Sequence, residues 1–153
     1  MARTAREDNL VLRGALLVEL TAGAAVAAND ALYLDSNGKA QKLTSAQAGN
    51  RIGVAQNAAA SGEAVRVQIA GKCTVVADAA ISIGARIGAP STTAGRVATV
   101  SNTLAVASGG TTVTSTAANG AIVTGDPVLS RVLGVALSAA AAAGDSVTVL
   151  LTL

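Results

Sequence analysis

The chain has no histidine, no phenylalanine and no tryptophan, and it carries one tyrosine, one cysteine and two prolines in 153 residues. Each absence excludes something. Without histidine, Ser-His-Asp and Cys-His nucleophile systems are ruled out. One cysteine allows neither an intrachain disulfide nor a Cys/His zinc site. Cys73 sits in the alternating segment KCTVVA, where a small buried core residue is expected rather than a reactive thiol. Aromatic side chains supply much of the buried area of most cores. A core of Val, Leu, Ile and Ala is thin, so part of the stability is expected from neighbouring copies of the chain.

Charge is scarce as well. Eleven Lys and Arg face nine Asp and Glu, a formal net charge of +2. The basic residues are scattered singly, and only Tyr33 could stack on a base, which argues against nucleic-acid binding. No cluster of acids is spaced like a calcium loop. The Gly-Lys pair in GKCT (71–74) lacks the upstream glycine of a phosphate loop. No long run of large apolar residues is free of charge, so no membrane-spanning helix is expected. The mixed-charge N-terminus is a poor signal peptide, which makes the cytoplasm the simplest site of synthesis. Neither a cofactor nor a small-molecule substrate is implied.

What is present is alanine, 36 residues of it, with 16 glycines. The length fits one domain. Residues 1–14, MARTAREDNLVLRG, have neither helical nor strand periodicity and read as an extended arm. A β-rich body over 15–153 follows. Strands are expected at 16–20, 31–35, 39–43, 64–69, 73–77, 96–100, 111–115 and 146–151, with Asn37-Gly38 as a hairpin turn. In 64–69, Val65, Val67 and Ile69 fall on one face, Arg66 and Gln68 on the other. Helix is limited to one or two short turns, at 139–143 and at 44–50 with Ser45 as a cap.

The chain repeats itself. IGVAQNAAASGEAVRVQIAG (52–71) and LGVALSAAAAAGDSVTVLLT (133–152) share Gly-Val-Ala, an alanine run, Gly plus an acid, and an alternating strand. This is the pattern of two similar strand–turn–strand units. A second phrase occurs three times, at 24–34, 79–89 and 120–130, each with a tight turn, at Asn29-Asp30, Gly84 and Gly125-Asp126. Because 120–130 leads directly into 133, the order suggests one long unit used twice and shortened the second time. Asp30, Asp35, Glu63, Asp78, Asp126 and Asp145 stand beside small or turn-forming residues and read as turn acids rather than catalysts.

The order of these phrases, from AGAAVAANDALYLD through AGKCTVVADAAISIGARIGAPSTTAGRV to GDSVTVLLTL, resembles the capsid cement, or decoration, proteins of tailed bacteriophages over about residues 15–153. The resemblance implies an all-β fold, a small β-barrel or β-sandwich-like body of the β-tulip or β-clip type. It also implies a homotrimer on the outer surface of the virion. The partner would be the major capsid protein, with subunits bridged and the expanded head reinforced. The arm would supply the capsid contacts, through Arg3, Thr4, Arg6, Asn9, Leu10, Val11 and Leu12. The more apolar second hairpin, with Val147, Val149, Leu150 and Leu151, is the candidate trimer interface. Two other readings remain open. One is the base of a head fibre or another adhesive β-module, with 101–120 as the place where a tip would grow. The other is an enzyme using a carboxylate pair among Asp30, Asp126 and Glu63; the missing catalytic machinery argues against it, so no enzyme is expected.

Overall fold

A computed structural model describes residues 14–100 and 132–152. Among these, nine strands form one curled antiparallel sheet, an open half-barrel. They are β1 (Leu16–Thr21), β2 (Ala31–Leu34), β3 (Ala40–Lys42), β4 (Arg51–Ala55), β5 (Ala64–Val76), β6 (Arg86–Gly88), β7 (Ala98–Thr99), β8 (Val132–Ala136) and β9 (Ser146–Leu151). Neighbours run β3-β2-β4-β5-β9-β8-β6-β7, and β1 lies against β5. The all-β expectation holds. A single 3₁₀ turn, Ser45–Asn50, is the described helical element. Its N-cap position is Thr44, without a side-chain cap, so Ser45 is the first residue of the turn and not its cap. Residues 139–143 are not helical: Ala140 bridges to Ile81 and the chain bends on both sides. Ala cannot hold a helix this short against sheet pairing.

The repeat is real, but its partners differ from the expected ones. The first half spans 16–69 and the second 71–151. β1 pairs with the first part of β5 through Leu20–Val65 and Val18–Val67. The second part of β5 pairs with β9 in the same register, through Val75–Val147 and Cys73–Val149. β2 on β4 (Ala31–Val54, Leu32–Gly53, then a bulge to Tyr33–Arg51) recurs as β6 on β8 (Arg86–Val135, Ile87–Gly134, then a bulge to Gly88–Val132). The bridges Ala22–Ala40 and Val26–Ala59 recur as Ala77–Val97 and Ile81–Ala140. The phrase paired with 133–152 is therefore the middle one, 79–89. The second unit is the longer one, with additional chain between β7 and β8. The phrase at 120–130, Asp126 within it and the strand expected at 111–115 lie outside the described residues.

The physical reasons are local. Asn29 (φ 70°) and Gly84 (φ 81°) make the same left-handed turn. Gly53 and Gly134 admit backbone where a side chain would not fit: a Cβ would collide with the carbonyl oxygens of Gln68 and Leu150 respectively. The Asn37-Gly38 hairpin forms as expected, with Gly38 at φ 73°.

The eight residues of the smaller core cluster are Ala22, Val26, Leu32, Ala40, Ala55, Ala59, Val65 and Val67. Each has a counterpart in the larger one: Ala77, Ile81, Ile87, Val97, Ala136, Ala140, Val147 and Val149. The larger cluster has seven further members. Cys73, Val75, Leu133 and Leu151 belong to the second half, while Ala31, Leu43 and Val54 reach across from the first.

Candidate interaction surface

Among the described residues, five carboxylates accept from backbone amides. Asp35 accepts from the amides of Asn37 and Lys39 and from the Gln41 side chain, and these bonds, led by that of Lys39, hold its pKa below the usual carboxylate value. Glu63 accepts from Ala60 N at 2.7 Å, and its counterpart Asp145 accepts from Ala141 N and Ala142 N at 2.9 Å. Asp30 accepts from Ala27 N at 2.8 Å and pairs with Lys42 Nζ at 3.2 Å.

Asp78 is the most constrained of these acids. It is 6% exposed and gathers the loop after β6. The amides of Ser91, Thr92 and Thr93 and the hydroxyls of Ser91 and Thr92 all donate to it. Burial alone would raise its pKa, but the bonds from Thr92, Ser91 and Thr93 together outweigh it and hold the group well below the usual range. Among the described residues no three His, Cys, Asp or Glu side chains are grouped as metal ligands would be. Cys73 lies in the core, and burial pushes its thiol up to about 12.

The two halves are joined by more than packing. Gly95, in the loop that Asp78 gathers, accepts from Ala31 N and donates to Leu43 O. Arg51 on β4 donates Nε–H to the Val132 carbonyl at 2.7 Å, and burial pulls its pKa down. A groove of about 240 Å³ runs over this seam, between the 3₁₀ turn and the segments around Pro90 and Thr99, and no ionisable side chain lines it.

The fold is shared with a solved phage structure. The crystal structure of the N base of head fiber gp8.5 from bacteriophage phi29 superposes with a TM-score of 0.52, covering 90% of this chain and 94% of that one at 18% identity. At this identity the likeness is one of fold. No family model matches the sequence, and no curated protein does.

The four residues expected at a trimer interface do not share one surface. Val147, Val149 and Leu151 face inward, at 0%, 0% and 4% exposure, and only Leu150, at 41%, faces out. Strand alternation explains the split: the apolar side of β9 serves this chain's own core. The arm residues Arg3, Thr4, Arg6, Asn9, Leu10, Val11 and Leu12 lie outside the described residues. Gln68, expected on the outer face with Arg66, is buried. Its Nε2 donates to the carbonyls of Ala70 and Lys72, where β5 passes from one half to the other.

The apolar surface that sequence reading missed is on the first half. Val18, Leu20, Ile52 and Ile69 pack on the smaller core but remain half-buried. Leu16 and Leu17, at the start of β1, are exposed by half or more. Periodicity could not single these out, because Val18 and Leu20 alternate just as buried strand residues do.

Proposed function

We propose that this chain is a structural protein of a phage virion that sits on the outer surface of the head as a cement protein. It acts as a homotrimer that bridges neighbouring major capsid protein subunits. The shared fold with a phage head-fibre base over nearly the full length of both chains is the observation that carries the reading. The use of Asp30, Asp35, Glu63, Asp78 and Asp145 as backbone acceptors supports a scaffold rather than a catalyst. The mechanism is linkage. A protein that binds the expanded lattice and not its disassembled or unexpanded states stabilises the bound state by its binding free energy. An arm adding a strand to an exposed sheet edge would provide affinity through backbone hydrogen bonds, with little demand on side chains.

The neighbour's identity as a head-fibre base favours a second reading on the same surface, in which the chain is the base of a head fibre. Both readings require the chain to bind expanded capsids that lack it. Purified chain should co-sediment with such capsids and raise their melting temperature. Absence of binding would reject both. In reconstructions of decorated capsids, a cement protein stays close to the shell, whereas a fibre base continues into density projecting well beyond it. Deleting residues 2–13 should weaken capsid binding and leave the melting of the free chain unchanged; equal affinity would remove the arm from the mechanism.

A further inference from the structure

The internal repeat offers its own template for assembly. In the second half, Cys73, Val75, Leu133 and Leu151 are buried, at 8%, 0%, 3% and 4% exposure. Their register counterparts in the first half are Val18, Leu20, Ile52 and Ile69, all half-buried. The side chains are alike, so the difference lies in what covers them. In the second half the cover comes from the first: Ala31, Leu43 and Val54 are members of that core, and Tyr33 packs against it. In the described residues nothing equivalent covers the first half. Yet the covering surface exists a second time. The counterparts of Ala31, Leu43 and Val54 are Arg86, Val100 and Val135 on the second half, and these are exposed or half-buried.

We infer that the Val18–Leu20–Ile52–Ile69 face is a socket for a second copy of this chain. The Arg86–Val100–Val135 face of that copy fills it, as the first half fills the second within one chain. The contact is head-to-tail: each chain offers one socket and one plug, and such a contact either closes into a ring or propagates. With three chains the ring holds six pseudo-equivalent units. The inter-chain joint differs from the internal one in having Arg86 where the internal joint has Ala31, so it carries a charge and is the weaker of the two. The inference deepens the self-association part of the proposed function and does not depend on the capsid part.

Sedimentation of the free protein tests it. Wild-type chain should run at a multiple of its 14.7 kDa mass, three-fold if the ring is a trimer. Leu20→Glu should spoil the socket and Val135→Glu the plug, and each alone should run as a single chain. Mixed in equal amounts they should form a two-chain species, because the intact socket of one accepts the intact plug of the other. Rescue on mixing also shows that both variants are folded. If circular dichroism shows either to be unfolded, Leu20→Ser and Val135→Thr are read in the same way. A wild-type chain that runs as a monomer, as it would if its own residues 1–13 covered the face, overturns the inference. So does a variant that keeps the wild-type mass, or a mixture that stays monomeric. A ring that fails to bind capsids would reject the capsid part of the proposed function and leave the joint standing; a monomer that binds them would overturn the joint and the self-association part and leave the capsid part standing.

Discussion

The two halves of this molecule have the same strands, the same bulge and the same register, and they differ in how well they are finished. The core of the second half holds fifteen buried residues, three of them lent by the first half. The first half has eight and an open apolar face. Fold and sequence pattern are shared, so completeness of burial is a property of position in the chain and not of local sequence. A repeat that cannot cover its own face needs a neighbour, as the units of solenoids do. Here the neighbour is supplied once from within.

Three measurements on the isolated chain test that contrast. The largest effect is expected at the internal joint. Leu43 is fully buried under the second half, and Leu43→Ala should cost about 2–5 kcal/mol, as leucine truncations in close-packed cores do. Its counterpart Val100 is half-exposed, and Val100→Ala should cost the monomer about 1 kcal/mol or less. Equal losses in denaturant titrations would show that the two joints do not differ in burial.

Next comes the loop that carries Gly95 into the joint. Asp78→Ala removes the acceptor for five donor groups of Ser91, Thr92 and Thr93 and should cost about 1–3 kcal/mol at neutral pH. Folding depresses the Asp78 pKa, so its contribution is complete above the ordinary value of 3.8 and drains away as pH falls below it. The gap between wild type and variant should therefore narrow in acid; a gap independent of pH would mean that the ionised form is not what matters. Asp35 holds the corresponding hairpin of the first half from a half-buried position, more open than that of Asp78, and Asp35→Ala should cost less.

The smallest perturbation is a pair of thiols. Cys73 should resist alkylation until the protein unfolds, because it is buried and its thiol is raised to about 12. In a Cys73→Ser background, Val18→Cys places a thiol at the matching position of the first half. It should label readily in dilute protein and become protected as concentration rises. Equal protection of both sites in monomers would show that the first-half face is already covered.

The all-β class, the hairpin at Asn37-Gly38 and the kinship of 52–71 with 133–152 were legible because alternation, turn residues and repetition are local signals. β4 and β8 were visible only as Gly-Val-Ala phrases, and β6 only as part of a turn phrase. In the fold Gly53 and Gly134 accept close backbone, a role that the phrases themselves do not reveal. Ala70-Gly71 divided what is one strand, Ala64–Val76, into two expected ones. Gly71 is needed there because Gly14 passes too close for a side chain. The roles of Val147, Val149 and Leu151 depend on which face of β9 turns inward, and apolar content alone does not carry that. The open socket was invisible for the same reason: its residues are as apolar as their buried counterparts, and only tertiary placement separates them.

β5 belongs to both halves at once. Its thirteen residues run roughly 40 Å at ~3.3 Å per residue, with β1 and β4 along the first part and β9 along the second. A pull applied along this strand meets ladders whose hydrogen bonds lie across the direction of force, so many must fail together rather than one after another. Tension entering one half passes into the other through continuous covalent chain, with no linker to stretch. For a protein proposed to bridge capsid subunits, that strand is a tie-rod.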